Sequence, residues 1–175
     1  PDCYADLGFR TVSTNPCGEI PLCPYDSCRL LAINLYSYVD KPFTKEASFN
    51  FDKFRRHVAA AMRMMDDIID LELEKVEAIL EKISKDPEDE DIRQVEVKLW
   101  EKIREKALQG RRTGLGITAE GDMLAALGLR YGTDEATDFA VEIQKTLAVE
   151  AYRTSVKMAQ ERGKFPIYDA GREEG

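Results

Sequence analysis

The chain has 175 residues, of which 43% are hydrophobic and 33% charged, and its formal net charge is -8. That length suffices for one domain with a core, and the composition fits a soluble globular protein rather than a disordered one. The acidic balance argues against nucleic acid as a partner, because phosphate binding needs a basic face, and no apolar run is long enough to span a bilayer. The first residues, PDCYADLGFR, lack an initiator Met and the basic and apolar regions of a signal peptide. They and the closing DAGREEG are expected to be cuts inside a longer, cytoplasmic polypeptide.

Residues 9–12, FRTV, are strand formers that run into the loop STNPCGEIPL. Within it Asn15, Cys17 and Glu19 alternate. In an extended segment alternate side chains share a side, so an amide, a thiol and a carboxylate would face one way, with Pro16 and Gly18 shaping the backbone. A turn around a structural Cys is the competing reading. The four cysteines, Cys3, Cys17, Cys23 and Cys28, all lie near the start, without a C-x-x-C pair and far from the single His57. That pattern gives no metal site and no secreted disulfide scaffold, and points instead to redox or catalytic thiols. Cys3 is read as a buried small hydrophobe, and Cys23 as a bystander on the loop.

Residues 28–39, CRLLAINLYSYV, read as a buried strand with a short extension. From Asn50, a helix cap, the pattern turns helical, with Phe51, Phe54, Val58, Met62, Met65 and Ile69 in one stripe. His57 beside that stripe is read as structural, the Met cluster as core, and Asp66, Asp67 and Asp70 as a solvated face. Residues 73–84 continue a helix, and KDPEDED breaks it. A second helix over roughly 88–109 then carries Ile92, Val95, Leu99 and Ile103 as its apolar positions. Residues 72–108 are thus a helical hairpin with a structural role. GRRTGLG, at 110–116, could cradle phosphate on backbone N–H groups ahead of a helix, or serve close packing. ITAEGDMLAALG is a short helix ended by Gly128. Thr133 caps the longest helix, which Arg162 and Gly163 close and KFPIYD leaves in extended form.

Three stretches together, STNPCGEIPL, SCRLLAINL and RRTGLGITAEGDMLAALGLRYGTDEA with the long helix and ERGKFP, resemble the catalytic barrel of ribonucleotide reductase large subunits. The carrying pattern is N-x-C-x-E, a Cys eleven positions on that opens an apolar strand, and R-x-G-L-G before a helix. N-P-C-G-E is similar to the class II, adenosylcobalamin-dependent branch. The resemblance implies an α/β fold, part of a ten-stranded α/β barrel with a finger loop through its centre, mostly helical in this piece with a few short strands. All of residues 1–175 would belong to that domain: 1–40 as strand, finger loop and strand, 50–109 as helices with the long hairpin, and 110–175 as the Gly-rich segment and helices.

It also implies roles. Cys17 would carry a thiyl radical that starts ribonucleotide reduction, Glu19 would be the general base on the 3′-OH, and Asn15 would hold the ribose hydroxyls. Residues 15–19, with Pro16 and Gly18, would form the substrate-binding loop. Cys28 would be one of two thiols that supply electrons, its partner lying upstream, with a thioredoxin-like or dithiol reductant restoring the pair. Adenosylcobalamin would be held mainly by parts outside this chain, a nucleotide effector would bind there too, and the full-length enzyme could be a homodimer. The isolated chain is expected to be inactive. Two alternatives stay open: a class I subunit that draws its radical from a separate metal subunit, and a non-catalytic helical interaction domain.

Overall fold

The computed structural model describes residues 3–15, 20–27 and 29–174. It is mostly helical, with six short strands among the described residues. These are β1 (Ser13–Thr14), β2 (Pro21–Leu22), β3 (Leu30–Asn34), β4 (Val39–Asp40), β5 (Ser48–Phe49) and β6 (Gly114–Thr118). The helices are α1 (Phe51–Ser84), α2 (Glu90–Gly110), α3 (Glu120–Leu127), α4 (Asp134–Arg162) and α5 (Ala170–Glu173). No described helix is long and apolar enough to cross a membrane.

The chain divides into two compact units. One takes residues 30–65 and 115–162. Here β3 neighbours β6, and β4 pairs antiparallel with β5, Val39 opposite Phe49. Its core joins Ile33, Leu35, Tyr38, Phe54, Val58, Met123, Ile143 and Leu147. The apolar stripe expected of α1 is the side that goes in: Phe54, Val58 and Met65 are fully buried. The Asn50 side chain accepts from the Lys53 N–H at 3.0 Å and starts the helix. His57 Nδ1 lies 3.0 Å from the Tyr38 hydroxyl, which fits a structural role. Gly128 closes α3 at φ 77°, and the Thr133 hydroxyl accepts from the Ala136 N–H at 3.3 Å to cap α4.

The described part of the expected buried strand, residues 29–39, is interrupted. Leu30–Asn34 is strand, a 3-10 turn follows over Leu35–Tyr38, and β4 starts at Val39. The Asn34 side chain accepts from the Tyr36 N–H at 3.0 Å, so a local cap takes over from the ladder. Ile33 is buried but Leu30 is exposed, since β3 has one strand neighbour among the described residues.

The other unit takes residues up to 29, then 66–114 and the residues from 163 on. Tyr4, Phe9 and Cys23 form its small core, with Phe165 and Ile167 against it. Tyr4 donates to Glu173 at 2.6 Å and accepts from the Asp169 N–H, while Arg172 grips Asp6 at 2.6 and 2.8 Å. Phe9 sits beneath Lys106 and Arg112, 4.4 and 4.9 Å from its ring centre. A Cβ on Gly110 would come within 2.8 Å of that ring, so the close approach needs glycine there. FRTV is not a strand: the ladder begins at Ser13, because Phe9 is spent on this core.

The second half of α1 and α2 form the expected hairpin, tied by the Arg104–Glu77 ion pair. Of its expected apolar positions only Ile103 turns inward. Ile92, Val95 and Leu99 are 49, 68 and 42% exposed, whereas Val97, Trp100 and Ile103 are half-buried and Ala107 is buried.

Candidate functional site

The thiol-bearing loop is closed at its base by its own backbone. Ser13 pairs with Leu22 and Thr14 with Pro21 in an antiparallel ladder. Asn15 N–H then donates to the Ile20 carbonyl at 3.1 Å, and Asn15 Oδ1 accepts from the Ile20 N–H at 3.0 Å. Asn15 is 7% exposed. A buried amide that satisfies a buried backbone group is a firm clamp, because leaving either group unpaired costs about 1–3 kcal/mol. Thus the structure turns the amide oxygen of Asn15 toward the loop itself. Pro16, Cys17, Gly18, Glu19 and Cys28 lie outside the described residues.

Beside the loop is a cluster that the sequence reading did not single out. The Arg29 side chain is 4% exposed, and its Nε pairs with Glu72. Its NH1 donates to the Arg112 carbonyl at 3.1 Å and lies 3.7 Å from Asp26, whose own side chain is 1% exposed. Arg112 Nε stands 3.9 Å from the same carboxylate. Arg29 also accepts through its carbonyl from the Gly114 N–H at 2.8 Å. Two cations and two carboxylates thus lock residue 29, the neighbour of Cys28, to α1 and to the start of β6. The available signal was a guanidinium at the head of an apolar run, where a charge must find partners.

Cys23 Sγ lies 3.7 Å from Asp26 Oδ2. Burial, then the Asp26 charge, pushes the thiol pKa up. Cys23 is thus a buried thiol whose surroundings disfavour the thiolate. Cys3 was expected inside and is exposed instead, because Tyr4 takes the core position next to it. In a Cys17→Ala/Cys28→Ser background, iodoacetamide at pH 8 is expected to label Cys3 at least about tenfold faster than Cys23. Peptide mass spectrometry reads the two sites separately.

The Gly-rich segment is not a phosphate cradle at a helix start. Residues 114–118 are strand β6, and the preceding arginines are committed to carboxylates. Arg111, at φ 42°, donates from Nε to Asp66 and from NH1 to Asp70, each at 2.8 Å. Burial lowers the Arg111 pKa, but the Asp70 and Asp66 hydrogen bonds outweigh it and hold the guanidinium above its usual value. The same pairing makes Asp66 and Asp70 partners of a cation, while Asp67 and Asp70 are exposed, as a solvated face requires. Close packing does not explain Gly116 either, since a Cβ there would meet nothing within 4 Å.

The described residues thus give a mostly helical chain with a loop tied at Asn15 and Ile20 and an ion cluster around Arg29. The family is shown by comparison: the model for "Ribonucleotide reductase, barrel domain" matches residues 9–174, and the chain belongs to that family. It is 31% identical over 163 residues to a vitamin B12-dependent ribonucleoside-diphosphate reductase of Mycobacterium tuberculosis, covering 93% of this chain and 19% of that protein. A vitamin B12-dependent ribonucleoside-diphosphate reductase of Thermoplasma acidophilum is 33% identical over 156 residues, covering 89% of this chain and 17% of that protein. A ribonucleoside-diphosphate reductase subunit alpha of Chlamydia pneumoniae is 25% identical over 163 residues, covering 91% and 13%. The chain therefore spans about a fifth of the length of the B12-dependent relatives.

Proposed function

We propose that this chain is the part of an adenosylcobalamin-dependent ribonucleotide reductase that presents the radical-bearing thiol to the substrate. The observation that carries the reading is N-P-C-G-E, at 15–19, set in a loop whose ends are tied together in a member of this family. The rest of the subunit would complete the ten-stranded barrel, with residues 13–22 at the tip of its finger loop.

Reduction replaces the ribose 2′-OH by hydrogen, and that C–O bond resists ordinary acid–base chemistry. A sulfur radical at Cys17 takes the hydrogen atom from C3′ and returns it at the end. With a radical at C3′, Glu19 takes the 3′-OH proton, which it gives back at the end, while the 2′-OH leaves as water on a proton from one thiol of a pair. That pair, Cys28 and a thiol from elsewhere in the subunit, supplies two electrons and two protons, one proton to the departing hydroxyl and the other to C2′, and becomes a disulfide, which an external dithiol or thioredoxin-type protein reduces. Asn15 contributes by holding the loop's geometry, and its amide is the group proposed to meet the ribose. The ion cluster around Arg29 fixes the chain next to Cys28.

Adenosylcobalamin would supply the initial radical. Its site, and the nucleotide effector's, are proposed to lie mainly in the rest of the subunit.

The test uses the full-length subunit, a ribonucleotide and a dithiol, with and without adenosylcobalamin. Deoxynucleotide is expected only with the cofactor. Product that ignores cobalamin but needs a separate metal-bearing subunit would replace this reading with the class I one, and the motif roles would stand. The 25% identical subunit alpha keeps that second reading in view.

A further inference from the structure

The turn that leads to Cys28 holds a strained residue. The Asp26 N–H donates to the Cys23 carbonyl at 3.3 Å and closes a turn over 23–26. Pro24 suits its second position, but Tyr25 stands at the third with φ 66°, where an L side chain is disfavoured. The Tyr25 ring is held by the Lys102 ammonium, 4.9 Å from its centre. Such strain persists where the surroundings impose one particular geometry. Here the turn carries the Asp26 side chain inward, where it is 1% exposed.

Four groups converge on that carboxylate. Oδ1 accepts from the Ser27 N–H at 2.8 Å and stands 3.7 Å from Arg29 NH1. Oδ2 has the Cys23 thiol at 3.7 Å and Arg112 Nε at 3.9 Å. Ser27 and Arg29 are the residues on either side of Cys28. One carboxylate therefore holds the backbone just before residue 28 and the side chain just after it. The Arg29 carbonyl, which accepts from the Gly114 N–H at 2.8 Å, completes the bracket. Stability alone does not ask for this arrangement, because apolar residues of similar volume would fill the space about as well. What the arrangement supplies is a fixed path for the chain through residue 28.

We propose that Asp26 is the positioning residue of the redox thiol: its carboxylate brackets Cys28 and keeps that thiol where it can pair with the second cysteine. The inference rests on the redox role proposed above for Cys28. A disulfide needs its two Cβ atoms about 3.5–4.5 Å apart with a dihedral near 90°, so a thiol on a wandering backbone seldom meets the requirement. In the step concerned, two S–H bonds break and one S–S bond forms, while on the ribonucleotide a C2′–H bond replaces C2′–O and water leaves. Asp26 moves no proton or electron in it and acts through the position of Cys28.

The test equilibrates the full-length subunit with mixtures of oxidised and reduced dithiothreitol, quenches with acid, alkylates, and reads the fraction of Cys28 in a disulfide by peptide mass spectrometry. Asp26→Asn keeps the size and an acceptor for the Ser27 N–H but removes the charge that draws both guanidinium groups. It is expected to lower the equilibrium constant for the Cys28 disulfide at least about tenfold, because a released thiol has a lower effective concentration at its partner. Asp26→Glu, which keeps the charge, should lower it less, and takes over the test if circular dichroism shows Asp26→Asn unfolded. Tyr4→Phe removes the Glu173 and Asp169 hydrogen bonds in the same unit without touching the bracket, and should leave the constant within about twofold. A parent that forms the disulfide and an Asp26 variant that matches it overturn the proposal and leave the role of Cys28 standing. An equal fall in Tyr4→Phe also overturns it, since general loosening then explains the effect. A parent that forms no Cys28 disulfide in any mixture, nor after one turnover, overturns the redox role itself and the proposal with it.

Discussion

Cys17→Ala in the full-length subunit is expected to lower deoxynucleotide formation by about 10⁴-fold or more, the scale on which loss of a covalently acting group is felt. The reasoning is chemical. Asn, Glu and the backbone can bind or move protons, but none can take a hydrogen atom from carbon and give it back, so nothing in the loop substitutes for the sulfur. Cys17→Ala should still bind ribonucleotide, which equilibrium dialysis measures while chromatography follows product. Glu19→Gln should cost less, about 10²–10⁴-fold, because it removes the proposed general base and leaves the proposed radical step in place. Cys28→Ser should stop repeated turnover with the external dithiol. If Cys17→Ala keeps a rate within tenfold of the parent, the radical role assigned to Cys17 is wrong and the helical interaction reading gains ground.

Arg29→Ala should destabilise the protein by about 3–5 kcal/mol, because it strands buried carboxylate charge. Glu72 would lose its pairing nitrogen, and Asp26, almost wholly buried, would keep Arg112 at 3.9 Å and the Ser27 N–H at 2.8 Å. Arg29→Lys should recover part of the loss and no more, since an ammonium cannot reach a carboxylate, a second carboxylate and a carbonyl with one planar fork. Arg29→Met combined with Glu72→Met and Asp26→Asn should recover more than Arg29→Ala does, as removing a whole buried charge group is milder than breaking it. Thermal unfolding of the full-length subunit measures the order of these variants. Hydrogen exchange at the Gly114 amide, which donates to the Arg29 carbonyl, reports the same cluster locally. An Arg29→Ala protein that melts with the parent would show that the cluster is solvated and its charges satisfied by water.

The long elements were legible in the sequence because each is written several times over. α1 has a cap at Asn50, an acid in its first turn and a stripe repeated over many turns, so one misread residue changes nothing. α4 is similar, with Thr133 at one end and Gly163 at φ 89° just past the other. Short extended pieces were harder. FRTV has strand composition, yet Phe9 is claimed by a core with nearby Tyr4 and with Cys23 and Gly110, which are more distant in sequence. The apolar positions of α2 were read correctly as periodic, but periodicity does not tell which of two stripes turns inward; Val97 and Trp100 won over Ile92 and Val95. For the loop, spacing singles out Asn15, Cys17 and Glu19 as a set, of which the described residues include Asn15. The Arg29 cluster stayed hidden because it joins positions 26, 29, 72 and 112, and only the fold brings such positions together.

The tie between Asn15 and Ile20 gives the loop the character of a cassette. Its anchors, the Ser13–Leu22 and Thr14–Pro21 pairs and the two Asn15 hydrogen bonds, all lie outside positions 16 to 19. The entropic cost of bringing the loop ends together is thus met by residues that a variant at 17 or 19 leaves untouched. Exchanging the cassette should change what the loop does while the ladder that carries it stays in register, so lost activity in such variants reports on chemistry rather than on unfolding.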